Sequence, residues 1–205
     1  MFSLSTTAAG AGTATGSVTF YDGATSLGTA SLSGGSASIS TAGLSVGSHS
    51  LTAVYAGDSD FTGSTSSASS HTVGQASTST SVASNLNPST FGQSVTFTAT
   101  VAVSAPGAGT ATGNVEFFDG ATSLGTAALS SGSASLSTSA LIAGSHSITA
   151  AYLGSADFGG STSTALSQVV NAAGAAVSLA ASPDPGVYQS NETLTATVTP
   201  SSATG

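Results

Sequence analysis

The sequence predicts an all-β protein that consists of consecutive antiparallel two-sheet sandwiches. The chain repeats with a shift of 97 residues: residues 10–73 align without gaps with residues 107–170, where 20 of the 64 pairs differ and 44 are identical. A fixed period of this length is typical of whole domains in tandem. Polar and apolar residues alternate in short segments, as in half-buried strands, while helical spacing of apolar residues is nearly absent.

The first strands of the complete unit are predicted at Thr78–Ala83, before the turn residues Asn87-Pro88, and at Ser94–Val103. The second has the clearest alternation, because its odd-numbered residues are apolar and its even-numbered residues up to Thr100 are Ser or Thr. Side chains of a strand point alternately to opposite faces, so five residues are expected to face the core. These are Val95, Phe97, Ala99, Val101 and Val103.

The remaining strands of this unit follow at turn signals about 8–12 residues apart. Asp119-Gly120 and Ser131-Gly132 are turn dipeptides, whose residues tolerate the positive φ of tight turns. The predicted strands are Asn114–Phe118, Ser123–Ala128, Ser133–Thr138, His146–Tyr152 and Thr162–Val170. About seven short strands in one unit indicate an antiparallel immunoglobulin-like (Ig-like) β-sandwich.

The alignment of the repeated units divides the chain into three predicted modules or parts of modules. Residues 1–75 are expected to form a module that lacks its first strand, residues 76–172 a complete module, and residues 173–205 the first strands of a third, truncated module. Short linkers rich in Ala, Gly and Ser separate them near residues 74–77 and 171–175. Because a sheet that lacks a strand exposes unpaired backbone groups, the tail of one chain could complete the first module of another by strand exchange.

The composition restricts the partners of the protein. The chain has no Lys or Arg, so binding to nucleic acid is excluded, and the net charge of −8 makes contact with anionic membranes unfavourable. It has no Cys, which excludes disulfides and thiolate metal sites. No segment has the roughly 20 apolar residues of a membrane helix, and residues 1–15 do not resemble a signal peptide. An export signal is therefore expected outside this sequence.

Three sequence motifs resemble the bacterial Ig-like domain repeats of secreted and surface proteins. They are Gly113-x-Val115-x-Phe117-x-Asp119-Gly120, Leu124-Gly125-Thr126-Ala127, and Gly144-Ser145-His146-x-Ile148-x-Ala150-x-Tyr152-x-Gly154 with Asp157-Phe158. The first unit repeats them from Gly16 to Phe61 and has Gly57-Asp58 where the second unit has Gly154-Ser155. The resemblance implies extracellular stalks, adhesin shafts or accessory modules of exported enzymes, usually in long arrays. It implies no catalytic residues.

Histidines and acidic residues are the first candidates for a chemical site. His49 and His146 occupy equivalent positions, but a metal site needs several converging ligands. We therefore expect each ring to pack at the start of a strand and to bond a backbone group. His71 corresponds to Gln168, so no repeated role is expected for it. Five aspartates in turns suggest Ca²⁺ as an alternative to a structural role: Asp22, Asp58, Asp60, Asp119 and Asp157. We expect them to accept hydrogen bonds from nearby backbone amides.

Aromatic and serine motifs also favour structural roles. Gly43-Leu44-Ser45-Val46-Gly47 matches the pattern of a nucleophile elbow, but no helix pattern follows it and the second unit has no serine there. Tyr55 and Tyr152 are predicted to form tyrosine corners, and Phe61 and Phe158 to close the bottom of each sandwich. Tyr21 and Phe118 are the most plausible exposed aromatic pair, although packing against a neighbouring strand is favoured.

These observations predict a structural spacer in an exported bacterial protein, extracellular or at the cell surface. No catalytic, metal-binding or cofactor-binding residue is predicted, and the expected partners are neighbouring modules of the same chain. Two alternatives stay open. One is an adhesive module, with a glycan site at Asn114, Glu116 and Phe118 or an ice-binding ladder at Thr96, Thr98 and Thr100. The other is an accessory domain of a secreted hydrolase.

Overall fold

All regular elements in the part of the chain that the structure describes are strands, which confirms the predicted all-β class. A computed structural model describes residues 12–182 and 184–200. Within this part of the chain, no helix is long and apolar enough to cross a membrane. The chain divides into two compact units, unit 1 from Met1 to Gln75 and unit 2 from Ala76 to Gly205.

The described part of unit 1 forms one antiparallel sheet. Its strands are β1 (Ser17–Asp22), β2 (Thr25–Ser31), β3 (Gly47–Tyr55), β4 (Ser64–Thr65) and β5 (Ser69–Val73). Their order is β2-β1-β3-β4, and β5 also pairs with β3. Val18 and Phe20 of β1 alternate with half-buried residues and pack with Tyr55 in the core of this unit.

Unit 2 contains eleven strands among its described residues. They are β6 (Thr78–Ser84), β7 (Ser89–Thr90), β8 (Val95–Val103), β9 (Asn114–Asp119), β10 (Thr122–Ala128), β11 (Ser133–Thr138), β12 (Gly144–Tyr152), β13 (Ser161–Thr162), β14 (Leu166–Asn171), β15 (Ala175–Ser182) and β16 (Thr193–Pro200). One sheet has the order β10-β9-β12-β14-β7, with β13 beside β12, and the other has the order β11-β8-β6. The hairpin β15–β16 forms a separate two-stranded sheet.

The core of unit 2 lies between its two larger sheets. The three-stranded sheet contributes Phe97, which is fully buried, and the larger sheet contributes Phe117 and Ile148, which are also fully buried. The predicted inward face of β8 is confirmed, because Val95, Phe97, Ala99 and Val101 are buried and Val103 is half-buried. The period-two alternation of β8 therefore builds one wall of the sandwich.

Most predicted strands agree with the structure to within two residues, and β11 agrees at both ends. The predicted strand Thr162–Val170 is wrong in one respect, because it consists of two strands, β13 and β14. Ser163 separates them: its hydroxyl accepts the Ala150 amide at 3.0 Å, where a continuous ladder would supply a carbonyl. The short β7 was not predicted, and it pairs with β14 in parallel.

The contact between the two sheets of unit 2 can be tested by removing one of its core side chains. We expect Phe97→Ala to reduce the free energy of unfolding of unit 2 by about 3–5 kcal/mol, because the change removes a fully buried aromatic ring. The exposed Thr100→Ala on the same strand is the control, with an expected loss below about 1 kcal/mol. Chemical denaturation followed by circular dichroism measures both values. Equal losses in the two variants would contradict this assignment of the core.

Candidate functional site

The candidate site of unit 1 consists of His49, which is buried at the start of β3 and bridges two acceptors. Its Nδ1 lies 2.7 Å from Oδ2 of Asp22, and its Nε2 lies 2.8 Å from the carbonyl oxygen of Ser45. The other oxygen of Asp22 accepts the Ser50 amide at 3.2 Å. The imidazole thus joins the turn after β1, the loop before β3 and the strand β3 itself.

Unit 2 repeats this arrangement at the equivalent residues. His146 Nδ1 lies 2.6 Å from Oδ2 of Asp119, and Nε2 lies 2.9 Å from the carbonyl oxygen of Ile142. Asp119 also accepts the Ser147 amide at 3.1 Å. We call each set of histidine, aspartate and loop carbonyl a histidine clip.

The histidine clips favour the charged form of the imidazole. Both ring nitrogens face acceptors, so only the doubly protonated ring can donate to both. The hydrogen bond to Asp22, followed by the bond to the Ser45 carbonyl, raises the pKa of His49, and the bond from His49 lowers the pKa of Asp22. The pKa of His146 is also raised, and the largest cause is the carbonyl of Ile142.

Strand register brings the members of each clip together. The pairing of β1 with β3 sets Asp22 opposite Leu51, two residues from His49 in the sequence, and the Gly23 amide donates to the carbonyl of Ser50. The prediction that each ring bonds a backbone group is confirmed at both positions. The carboxylate partner was missed, because the aspartate precedes the histidine by 27 residues and only the register makes them neighbours.

The set of Ser45, His49 and Asp22 contains the residue types of a catalytic triad but not its geometry. A triad requires the serine hydroxyl at the imidazole nitrogen. Here Nε2 of His49 contacts the Ser45 backbone carbonyl. Unit 2 has the same contact with Ile142, which carries no nucleophile. The arrangement therefore fixes a loop and leaves Nε2 unavailable as a base. Among the described residues, no three His, Cys, Asp or Glu side chains form a metal-binding group.

A tyrosine in each unit connects the last residue of a long strand to a distant loop. The hydroxyl of Tyr55 donates to the carbonyl of Thr15 at 2.9 Å, and that of Tyr152 donates to the carbonyl of Thr112 at 2.6 Å. Both rings are buried. These bonds confirm that the tyrosines have a structural role, in which an aromatic body fills the core and its polar end is satisfied by backbone. The predicted tyrosine corner is wrong, because that motif bonds backbone a few residues upstream, whereas the acceptors here lie 40 residues before each tyrosine.

Asp58 organises the loop after β3. Its carboxylate accepts the Thr15 amide and hydroxyl at 2.8 Å each, the Asp60 amide at 2.9 Å and the Phe61 amide at 2.8 Å. These bonds hold its pKa far below the usual value, with the Thr15 amide as the largest cause. The predicted role as an acceptor of nearby amides is thus confirmed for Asp58. In unit 2, Ser155 occupies this position, and its amide keeps the turn bond to the Phe158 carbonyl at 2.8 Å.

Gly57 and Gly154 permit the close approach of this loop to the strand. Gly57 has a φ of +89°, and a Cβ atom there would lie 2.8 Å from the nitrogen of Gly63. Gly154 has a φ of +83°, and its Cβ would lie 3.0 Å from the carbonyl oxygen of Phe158. Any other residue would meet backbone atoms in a left-handed conformation that L-residues disfavour.

The residues considered for adhesion or ice binding make contacts within their own sheets. Glu116 accepts the Ser123 hydroxyl at 2.7 Å. Thr96 and Thr98 share hydrogen bonds with the hydroxyls of Ser137 and Ser135 on β11, at 2.8 and 3.0 Å. Tyr21 and Phe118 are half-buried rather than exposed. Phe158 is buried in the core of unit 2, and Phe61 packs against that of unit 1.

The paired sheets of unit 2 and its buried tyrosine define a protein of Ig-like β-sandwich modules. Residues 1–74 and 78–171 match the family model described as bacterial Ig-like domain (group 3), and the chain belongs to this family. Among curated proteins, none matches the chain. The chain is also similar to a structure described as Clostridium thermocellum CbhA fibronectin(III)-like modules, with 19% identity, a TM-score of 0.38, and coverage of 80% of this chain and 83% of that chain.

The histidine clips predict a pH dependence of stability. A raised histidine pKa stabilises the folded state below the unfolded value of about 6.5, and this contribution is lost as the pH rises through the folded pKa. The lowered pKa of Asp22 adds stability above its ordinary value of 3.8, which is lost on acidification. We therefore expect the melting temperature to be higher at pH 6 than at pH 9.

The double variant His49→Gln/His146→Gln should lose most of this difference in melting temperature. His71→Gln is the matched control, because His71 lies opposite His49 on β5 but belongs to neither clip. Differential scanning calorimetry at both pH values provides the comparison. An unchanged pH difference in the double variant would contradict the role of the clips.

Removal of one tyrosine hydroxyl is expected to have a smaller, local effect on stability. We expect Tyr152→Phe to reduce the free energy of unfolding of unit 2 by about 0.5–1.5 kcal/mol, because the Thr112 carbonyl loses its hydroxyl donor while the ring stays in the core. Tyr55→Phe is the matched change in unit 1 and should affect the transition of that unit. Hydrogen exchange measured by mass spectrometry can separate the two units. The bond is not stabilising if residues around Thr112 exchange at an unchanged rate in Tyr152→Phe.

Proposed function

We propose that the chain is a structural spacer of an exported bacterial protein and acts outside the cell or on its surface. Its family supplies structural or accessory modules, and the repeat places at least two of them in tandem. In this role, each module contributes length and stiffness, and short linkers join the modules into a string. A domain elsewhere in the full protein would then be held at a distance from its anchor.

The hydrogen bonds of the polar side chains within their own units support this proposal. The histidines of both clips, both core tyrosines and Asp58 have their polar atoms bonded to loops of their own unit. The same histidine and tyrosine contacts recur in both units, although 20 of the 64 aligned residues differ. Residue types that often perform chemistry therefore stabilise loops here, as a mechanical role requires.

The proposed spacer has one complete module, residues 76–172, between two partial ones. Residues 1–75 represent the module before it, and residues 173–205 the beginning of the module after it. The hairpin β15–β16 supports this division, because its register equals that of β6–β8 with a shift of 97 residues: Val82 pairs with Ala99, and Leu179 pairs with Ala196.

An adhesive module is the second candidate, and an accessory domain of a secreted hydrolase is another. The outer face of the β11-β8-β6 sheet favours adhesion in one respect, since it presents hydroxyl groups from Thr96, Thr98, Ser135 and Ser137 without any charge. These hydroxyls hydrogen-bond in pairs, so each retains only part of its capacity for a ligand. A glycan array probed with the whole chain tests adhesion, and saturable binding would favour it over the spacer.

The spacer function predicts discrete mechanical unfolding. When the whole chain is stretched by atomic force microscopy, residues 78–171 should unfold in one step that adds roughly 30 nm of length, and they should refold after relaxation. Phe97→Ala should lower the force of this step, because the two sheets lose their central contact, while Thr100→Ala should not. Gradual extension without a step of this length would contradict a load-bearing role.

A further inference from the structure

The segment of unit 2 that follows β6 joins the strand β14 by a parallel pairing. In β7, Ser89 lies opposite Val170 and Thr90 lies opposite Asn171. The amide of Phe91 adds a hydrogen bond to the carbonyl of Asn171 at 2.8 Å. Strand β6 itself pairs with β8 in the other sheet. The chain therefore changes sheets between β6 and β7, and its new partner is the strand that ends the module.

The side chain of Asn87 extends this short pairing. Its Nδ2 donates to the carbonyl of Ser167 at 2.7 Å, and its Oδ1 accepts the amide of Val169 at 2.9 Å. These groups belong to alternate residues of β14, as does the Asn171 carbonyl that accepts the amide of Phe91, so all of them lie on one edge of the strand. The amide of Asn87 thus bonds β14 in the way that another backbone residue of β7 would.

A second amide side chain holds the same segment from the interior of unit 2. Gln168 is fully buried, and its Nε2 donates to the carbonyl of Leu86 at 2.9 Å. The hydroxyl oxygen of Ser89, which is also buried, lies 3.4 Å from this nitrogen. Among the described residues, none donates a hydrogen bond to Oε1 of Gln168. An apolar side chain of similar size would avoid the cost of this buried acceptor, so the contribution of the amide is its bond to Leu86.

Tension along the chain acts on this junction in shear. We call the β7–β14 pairing with Asn87 and Gln168 the amide clasp. The preceding chain pulls β7 at its amino end, and the following chain pulls β14 at its carboxyl end. Because the two strands are parallel, these pulls are opposed and run along the strands, while the bonds between the strands run across them and share the load. If β6 separates from β8, or β14 from β12, the amide clasp still joins the two ends and then carries the load directly.

We propose that the amide clasp bears the tension across the module of residues 78–171 and sets the rate at which this module unfolds under load. The inference rests on the spacer function, because only a chain under tension would use such a junction. It also goes further than that function, which requires only that the module unfolds in one step. The amide clasp assigns the mechanical resistance to Asn87 and Gln168, whose bonds to a neighbouring segment are separate from the apolar contact between the sheets.

Force-clamp measurements on the whole chain test this assignment. Under a constant force, Asn87→Asp should unfold residues 78–171 roughly two- to tenfold faster than the wild type, because the loss of Nδ2 removes one hydrogen bond from the loaded junction. The chain itself has Asp before Pro at the equivalent Asp184-Pro185, 97 residues later. Gln168→Met keeps an unbranched side chain of similar length but removes the donor to Leu86, so it should also accelerate unfolding under force.

Two control variants separate a load-bearing role from a general loss of stability. Asn85→Asp introduces the same charge two residues away but keeps Oδ1, the atom that accepts the amide of Thr96 on β8. It should unfold under force at close to the wild-type rate. Tyr152→Phe removes a hydrogen bond to a loop and leaves β7 and β14 joined. At an equal loss of equilibrium stability, measured by chemical denaturation, it should accelerate unfolding under force less than the variants of the amide clasp.

The role of the amide clasp is overturned if either of its variants unfolds under force no faster than Asn85→Asp. It is equally overturned if Tyr152→Phe accelerates unfolding as much at the same loss of stability. In both cases the wild type still shows its single step of extension, so the spacer function stands. Gradual extension of the wild type would instead remove the load-bearing role and the amide clasp with it. If circular dichroism shows that Gln168→Met does not fold, the comparison of Asn87→Asp with Asn85→Asp decides alone.

Discussion

The apolar contact between two sheets is the interaction on which unit 2 depends. In unit 2, Phe97 from one sheet meets Phe117 and Ile148 from the other, and all three side chains are fully buried. The chain has no Lys or Arg, so carboxylates cannot pair with those cations to support the fold. Burial of apolar area and pairing of backbone groups must therefore supply most of its stability. This requirement explains why apolar residues alternate so regularly along β8.

The histidine clips perform a task that basic side chains perform in other proteins. Each clip brings a cationic ring to a carboxylate and adds a bond to a loop carbonyl. The imidazole loses its charge as the pH rises through its raised pKa, so this contact depends on pH in a way that a Lys or Arg pair does not. His49 is only 7% exposed in its side chain, so solvent screens the pair with Asp22 less than it would at the surface.

Local pattern was sufficient to predict most of the strands, the inward face of β8 and the structural role of Tyr152. Each depends on alternation or on a short motif that lies within one strand and its turn. The carboxylate partner of His146 could not be predicted in the same way, because Asp119 becomes its neighbour only through the register of β9 with β12. The division at Ser163 was missed for a similar reason, since the hydroxyl bond to the Ala150 amide depends on the placement of β12.

The two copies of one six-residue sequence show where local pattern ceases to determine structure. Residues 133–138 are a strand, and residues 37–41 of the nearly identical segment are not. The single difference, leucine at 136 against isoleucine at 39, cannot be the cause, because isoleucine favours strands at least as strongly. Among the residues that the structure describes, β8 offers the segment of unit 2 a ladder of backbone groups and the ring of Phe97, and no described strand pairs with the segment of unit 1. Strand formation in this segment therefore depends on the strand that pairs with it as well as on its own sequence.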